Sequence, residues 1–399
     1  MRFKEAGDTP RWFRAGMVFL FVLTLGLMCM TWCEPSTYAE PRFPLMKPAG
    51  DLNKTNQRVK TQTATNVTKE SEAAPVSRPG TIRSVTGTSN ETKATNGCSW
   101  PKQSEQHCPF NETEMLNMRQ HILKFYNPET NLTLTKSSVH IGQLLKYEFS
   151  VRNKSNLFKV TEDFLKLIPS ESPLKARHFS TCAVVGNSGI LRNSSCGQEI
   201  DSMDFVMRCN LPQIEGYEKD VGSKANFTTM NPSVVSHNFG QWRNKTKDDY
   251  DRLLQRLKQV GDQILYVPAL TIAFGEEYVR VITQVVLQHK LPMKTAFPPA
   301  GLNNLIKKIW TNPGLKIRGL RPSTGVQMYT LAAIICDQIH LYGFYPFTKD
   351  KQGRALRYHY YGTMEKQIDK EAHNMPEEFR VFQQLHRRGA VVLHTETCN

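Results

Sequence analysis

The sequence predicts an α/β fold, a mainly parallel sheet packed between helices, and three observations predict it. Short apolar, β-branched runs alternate with helix-period patterns through the second half of the chain, as crossover connections in a parallel sheet require. The run Ala183-Val184-Val185 stops at Gly186-Asn187-Ser188-Gly189. That is how a buried strand delivers a loop to a sheet edge, where open α/β sheets bind ligands. Third, 399 residues with 39% hydrophobic content allow a sizeable core, in one large domain plus appendages or in two domains.

Taken in order, Arg2, Lys4, Arg11 and Arg14 precede an eighteen-residue uncharged run over 15–32, just long enough to span a bilayer. The basic flank stays cytoplasmic and the bulk of the chain faces a lumen. A cleaved signal peptide is the rival reading, with Thr37-Tyr38-Ala39 as a small-x-small site. The fourteen-residue basic region and the long apolar run favour an anchor. Residues 34 to about 106 are rich in Thr, Ser, Pro, Lys and Asn and cannot bury enough surface to fold alone. The predicted organisation is a cytoplasmic tail (1–14), a signal anchor (15–33), a glycosylated stem (34–114) and a luminal domain (115–399).

Nine Asn-x-Ser/Thr sequons suit that lumen: Asn53, Asn66, Asn90, Asn111, Asn131, Asn153, Asn193, Asn226 and Asn244. Of nine cysteines, Cys29 and Cys33 serve the apolar run as small side chains, and seven are luminal. Spacing alone leaves their connectivity open, and the odd count leaves one unpaired within the chain. Net charge of +15 calls for an anionic partner. The secretory address turns that from nucleic acid towards a membrane surface or an acidic glycan.

A helical pattern begins near Met115 and breaks at Pro128. The stretch 136–177 carries eight basic residues among apolar ones, either a solvated face or an anion-binding surface. Residues 248–263 read as an amphipathic helix whose Asp248, Asp249 and Asp251 complement the dipole at its start. Residues 264–270 read as a strand and 276–290 as a helix. The thirty-two residues 290–321 then hold seven basic side chains and no acid, including Lys290, Lys294, Lys307, Lys308, Lys316 and Arg318. Such a strip holds a polyanion by summed, salt-sensitive attraction. Ser323-Thr324-Gly325 opens an apolar helix over 326–336, a cap and also a ready anion site. A strand over 339–344 follows. Pro376, Glu377 and Glu378 open a helix with Phe379, Phe382 and Leu385 inward and Gly389 as its stop. His373 thus stands just ahead of a helix N-terminus, where the dipole disfavours imidazolium and a neutral ring can accept a proton. A last strand lies over 391–398.

Asn187, the run Cys196-Gly-Gln-Glu-Ile-Asp, Arg208-Cys209-Asn210 and Asn231-Pro-Ser follow one another in an order that closely resembles the long sialyl motif of animal sialyltransferases, in its α2,8 variant. RPSTGVQMYTLAAIICDQIHLYGF resembles the short motif, Tyr358-His359-Tyr360-Tyr361 the third, and His373 with Glu378 the very short one. The polybasic placement is similar to that of the polysialyltransferases, although Pro298-Pro-Ala-Gly and Asn303-Asn304 depart from their pattern. The resemblance implies a single domain with a GT-A-like, Rossmann-like, mainly parallel sheet flanked by helices.

It also implies an inverting, metal-independent transfer from CMP-sialic acid to the 8-hydroxyl of a terminal sialic acid, at the Golgi membrane. Sialylated glycoproteins are the implied acceptors, with oligo- or polysialic acid on N-glycans as product. Transfer of one or two residues to gangliosides is the alternative product. His373 is the implied base and His359 faces the CMP phosphate. Asn187, Asn210, Ser323, Thr324, Gly325, Tyr345 and Tyr358 hold the donor. The implied disulfides are Cys182–Cys336 and Cys196–Cys398, with Cys98–Cys108 a local stem bridge and Cys209 a buried free thiol. Asp249-Tyr250-Asp251 formally matches the Asp-x-Asp metal motif of many glycosyltransferases, but its place in a first helical turn favours a cap. A catalytically silent sialoglycan lectin would lack a working base, so the two histidines argue against it.

Overall fold

In the computed structural model of the protein, residues 109–149, 155–240, 246–311, 317, 319, 321–362 and 373–398 are described. Helix α1 (Glu112–Leu123) starts on the Asn111 side chain, which accepts from Glu114 N, and buries Met115, Met118 and Ile122. Leu116 and Leu123 on the same helix are exposed. A small antiparallel hairpin, β1 (Leu144–Lys146) with β2 (Leu157–Lys159), leads into α2 (Glu162–Leu167). Part of the basic stretch here is a neutralised, solvated face. Lys166 pairs with Glu162 and Asp163, and Lys175 with Glu171.

The main sheet has seven strands: β3 (Phe179–Val185), β4 (Phe205–Arg208), β5 (Phe227–Thr229), β6 (Ile264–Tyr266), β7 (Lys294–Ala296), β8 (Cys336–Tyr342) and β9 (Val392–His394). Their order is β7-β6-β5-β4-β3-β8-β9 and every pairing is parallel. The chain runs outward from β3 to β7, then returns to place β8 on the other side of β3. The order therefore reverses at β3/β8, the switch point where such sheets open a crevice beyond their carboxyl ends. The expected α/β, parallel-sheet domain holds.

Connections are helical: α3 (Gly197–Ser202), α4 (Glu218–Val221), α5 (Ser233–Asn238), α6 (Lys247–Lys258), α7 (Glu276–Gln288), α8 (Leu302–Ile309), α9 (Thr324–Ile335) and α10 (Met375–Arg387). Alternation along β3 divides the core. Cys182 and Val184 join α1, α8, α9 and α10 on one face, while Ala183 and Val185 join Ile200, Val221 and Tyr360 on the other. The apolar residues within the basic strip are core: Phe297, Ile306, Ile309 and Trp310 are buried, and Trp310 Nε1 donates to Thr330 Oγ1 at 2.9 Å.

Two strand expectations shorten. After Tyr266, Val267 N still reaches Ala296 O at 2.9 Å, but Pro268 has no N–H and the chain turns away from the sheet. The closing strand pairs only over Val392–His394. Helix α9 runs directly into β8 at Cys336, three residues before the expected strand start. Asp249 sits in a capping box. Its carboxylate accepts from Thr246 N at 2.9 Å, and Thr246 Oγ1 accepts from Asp249 N at 3.2 Å. That backbone bond, the Thr246 hydroxyl and Arg252 hold its carboxyl below the ordinary range.

Both implied disulfides are present, Cys182–Cys336 and Cys196–Cys398. Cys209 is a buried free cysteine whose thiol burial pushes up to about 12. Cys98, Cys108, the stem and the expected anchor lie outside the described residues. Among the described residues no helix is long and apolar enough to cross a membrane. Of the sequons, Asn111 and Asn193 are exposed and Asn131 and Asn226 half-buried, while Asn53, Asn66, Asn90, Asn153 and Asn244 lie outside the described residues.

Candidate active site

Beyond the carboxyl ends of the strands lies a cavity of about 1630 Å³. The loops after β3, β4, β5, β6 and β8 line it, with the starts of α9 and α10 and part of the 356–361 segment. Asn187, Asn210, Ser323, Thr324, Gly325, Tyr345, Tyr358, His359 and His373, spread over almost two hundred residues of chain, all face it.

Close backbone approach builds the floor. Gly186 N donates to Tyr342 O at 2.7 Å, and a Cβ on Gly186 would lie 2.6 Å from Gly343 O. Gly343 itself has φ +72°, a conformation that favours glycine. Ser188 Oγ donates to the Tyr345 carbonyl at 2.6 Å, which ties the β3 loop to the β8 loop. The Asn187 amide donates to Cys209 O at 2.8 Å, while its Oδ1 is buried without a hydrogen-bond partner. A second chain of amides crosses the strand ends. Asn231 N donates to Asn210 Oδ1 at 3.3 Å, and Asn231 Nδ2 to Thr324 Oγ1 at 3.1 Å. Asn231 also belongs to the site, beside the donor-binding residues that the resemblance implies. The Asn231-Pro-Ser run that closes the long motif is the signal for it in the sequence.

The start of α9 is an anion-ready end. Ser323 Oγ accepts from Val326 N at 3.3 Å, and Gly325 has no room for a Cβ, which would lie 2.6 Å from Phe344 Cε1. Ser323 N donates to Glu378 Oε1 at 2.8 Å. Burial raises the Glu378 carboxyl, and the Ser323 hydrogen bonds partly offset it. Glu378 thus joins the starts of α9 and α10, a role its first-turn position did not disclose.

His359 stands beside the glycine loop. Its backbone bridges Ser188, and Tyr360 N donates to Asn187 O at 3.0 Å. Its ring lies between those of Tyr358 and Tyr361, at 4.5 and 5.2 Å. His373 precedes α10, whose cap Asn374 accepts from Glu377 N at 3.3 Å. His373 Nδ1 is 3.0 Å from the Arg321 carbonyl oxygen. A carbonyl only accepts, so Nδ1 carries the hydrogen and the neutral ring has its lone pair on Nε2. Two cationic side chains, Arg321 and Arg357, complete the lining; Arg321 Nε is buried without a partner. The four described lysines of the basic strip, Lys290, Lys294, Lys307 and Lys308, are exposed and outside the lining. Lys316 and Arg318 lie outside the described residues.

A large cleft at a switch point, holding a base-ready histidine and an anion-ready helix start, has the parts a group transfer from an anionic donor needs. Comparison with known proteins gives the class. The description "Glycosyltransferase family 29 (sialyltransferase)" matches residues 128–390. Alpha-2,8-sialyltransferase 8F of Mus musculus is 33% identical over 298 residues, 73% of this chain and 72% of the relative. Two solved structures are similar at 20% identity, each over 70% of this chain and 95% of the other. One is a mammalian sialyltransferase (TM-score 0.47), the other a mammalian sialyltransferase in complex with Gal-beta-1-3GalNAc-ortho-nitrophenol (TM-score 0.44). The protein is a glycosyltransferase. Within that class the chain belongs to family 29, the sialyltransferases, and the expected kinship with the animal α2,8 enzymes holds.

Proposed function

We propose that the protein is an inverting α2,8-sialyltransferase of the Golgi lumen, moving sialic acid from CMP-sialic acid to the 8-hydroxyl of a terminal sialic acid on glycoprotein N-glycans. The observation that carries this is His373, with Nδ1 tied to the Arg321 carbonyl at 3.0 Å, in one cavity with the motif-borne asparagines and the α9 start. Nε2 of the neutral ring takes the acceptor hydroxyl proton. His359 steadies the CMP phosphate as it leaves. Asn187, whose Oδ1 lacks a protein donor, Asn210 and Ser323 to Gly325 hold the nucleotide and sugar, with Tyr345 and Tyr358 as ring surfaces. Arg321 and Arg357 offer charge to the carboxylate of the acceptor sialic acid.

The transfer is metal-independent on this reading, because amide donors at a helix start carry phosphate charge and Asp249 of the Asp-x-Asp run is engaged as a cap. The exposed lysines outside the cavity suit a growing polyanionic product, hence an oligo- or polysialic acid chain. The N-terminal run anchors the enzyme, and the sequon-bearing stem spaces it from the membrane.

The test is turnover of CMP-sialic acid on sialylated glycoproteins and gangliosides by the wild type and by His373→Ala. The variant loses about 10²–10⁴-fold in transfer rate while its CMP affinity, read by calorimetry, stays. Undiminished turnover in the variant removes His373 from the base role. A preference for gangliosides replaces the glycoprotein acceptor.

A further inference from the structure

One carboxylate sets the polarity of the cleft wall at the β6 end of the sheet. Glu148 N donates to Leu270 O at 2.9 Å, just ahead of the lining residues Thr271 and Ile272. The Glu148 side chain meets the start of α8. Its Oε2 accepts from Asn303 N at 3.2 Å and from Asn303 Nδ2 at 2.8 Å, and its Oε1 accepts from Asn304 N at 2.7 Å. Asn303 Oδ1 in turn accepts from Gln327 Nε2 at 3.0 Å. Asn303 and Gln327 both line the cavity. We propose that Gln327 Oε1 is a specificity-determining oxygen that receives a hydrogen bond from a hydroxyl or amide N–H of the acceptor glycan, and that Glu148 and Asn303 are its positioning residues.

The chemistry of the three side chains fixes their orientation. A carboxylate only accepts, so the Asn303 amide must give it Nδ2 and turn Oδ1 the other way. An amide oxygen also only accepts, so the Gln327 amide must give it Nε2. Gln327 Oε1 is what remains, and among the described residues no donor meets it. Two amides thus carry the sign of one carboxylate into the cleft. The carboxylate is itself held, because it faces two N–H groups in the first turn of α8. A ligand that brought a carbonyl or carboxylate oxygen to this point would set oxygen against oxygen, so the wall selects a donor.

Position points to the substrate that is met. On the α2,8-transfer reading, on which this inference rests, the residues that hold CMP-sialic acid lie on the loops after β3, β4 and β8, at 358–359 and in the first turn of α9. Gln327 is a turn further along α9 than Ser323. Its partner Asn303 is tied through Glu148 to the β6 loop, which holds none of them. That loop brings Phe274, 58% exposed, to the same cleft. A ring surface with one directed polar atom suits a sugar, which has an apolar face and hydroxyls at its edge.

The experiment is steady-state kinetics of the full chain with CMP-sialic acid and a panel of glycans ending in sialic acid or in galactose, beside calorimetry with CMP. Gln327→Met keeps the side-chain length and removes both polar ends. The KM for the glycan should rise about 2–10-fold, the worth of one neutral hydrogen bond, while the KM for CMP-sialic acid and the CMP affinity stay. Glu148→Ala should also raise the glycan KM, but add nothing in the Gln327→Met background, because it acts through that amide. A purely structural loss would add in both. An unchanged glycan KM in folded Gln327→Met, or a rise confined to the KM for CMP-sialic acid, overturns the assignment. Melting temperatures report folding, and if Glu148→Ala does not fold, Gln327→Met decides on its own. If only galactose-ended glycans are turned over, the α2,8 reading falls, and the effect of Gln327→Met is read on those glycans by the same criterion.

Discussion

His373 and Glu378 show how much a single side chain owes to its backbone partner. The Arg321 carbonyl sets the histidine tautomer. The Ser323 N–H gives the buried Glu378 carboxylate one donor, less than its burial costs. Glu378 has its folded-state pKa raised, chiefly by desolvation. Its contribution to stability is therefore complete below the ordinary carboxylate range and is lost as pH rises through the folded value. Glu378→Gln keeps an acceptor for Ser323 and does not ionise. It should gain stability relative to the wild type as pH goes from about 4 to about 7. Glu378→Ala should instead lose about 1–3 kcal/mol by orphaning a buried donor. Thermal melts at the two pH values check both, and a gap between Gln and wild type that ignores pH removes the desolvation account.

At the scale of elements, the site depends on how closely β3 and β8 end. Gly186→Ala places a methyl 2.6 Å from the Gly343 carbonyl, backbone against backbone, with no flexible side chain to yield. Overpacking of this kind costs roughly 1–3 kcal/mol. Because Asn187 is the next residue, CMP affinity should fall with stability, and denaturant melts beside calorimetry measure the two together. Affinity surviving intact would mean that the β3 loop is set by other contacts. The glycine loop, the caps of α9 and α10 and the acidic start of α6 were legible because each rests on local chemistry. Strands β4, β5 and β7 were not. Three or four fully paired residues such as Phe227-Thr-Thr are too short for a period-two pattern, and Lys294 disguises an edge strand as part of a basic run. Their identity as strands comes from neighbours far away in sequence. The same holds for Asn231 and Glu378, whose partners lie 93 and 55 residues away.

At the scale of the whole molecule, the described lysines of the basic strip and the cavity are separate. Among the described lining residues of the cleft, Arg321 and Arg357 are the only Lys or Arg side chains. Lys290, Lys294, Lys307 and Lys308 are exposed elsewhere. If those lysines hold the growing chain, product length should shorten sharply between about 50 and 200 mM salt, because polyion contacts release counterions. The first transfer should change little. Chain-length profiles of the released glycans across that series measure it, and a length of one residue at every salt concentration ends the polymer reading.

The two disulfides interleave. Cys182 reaches forward 154 residues and Cys196 reaches forward 202, so each bond begins inside or before the span of the other and ends beyond its start. Any single break of the backbone between Cys182 and Cys398 therefore falls under at least one bridge. A protease that nicks a surface loop in this span leaves both pieces on one covalent body, with the cleft still assembled around the seam.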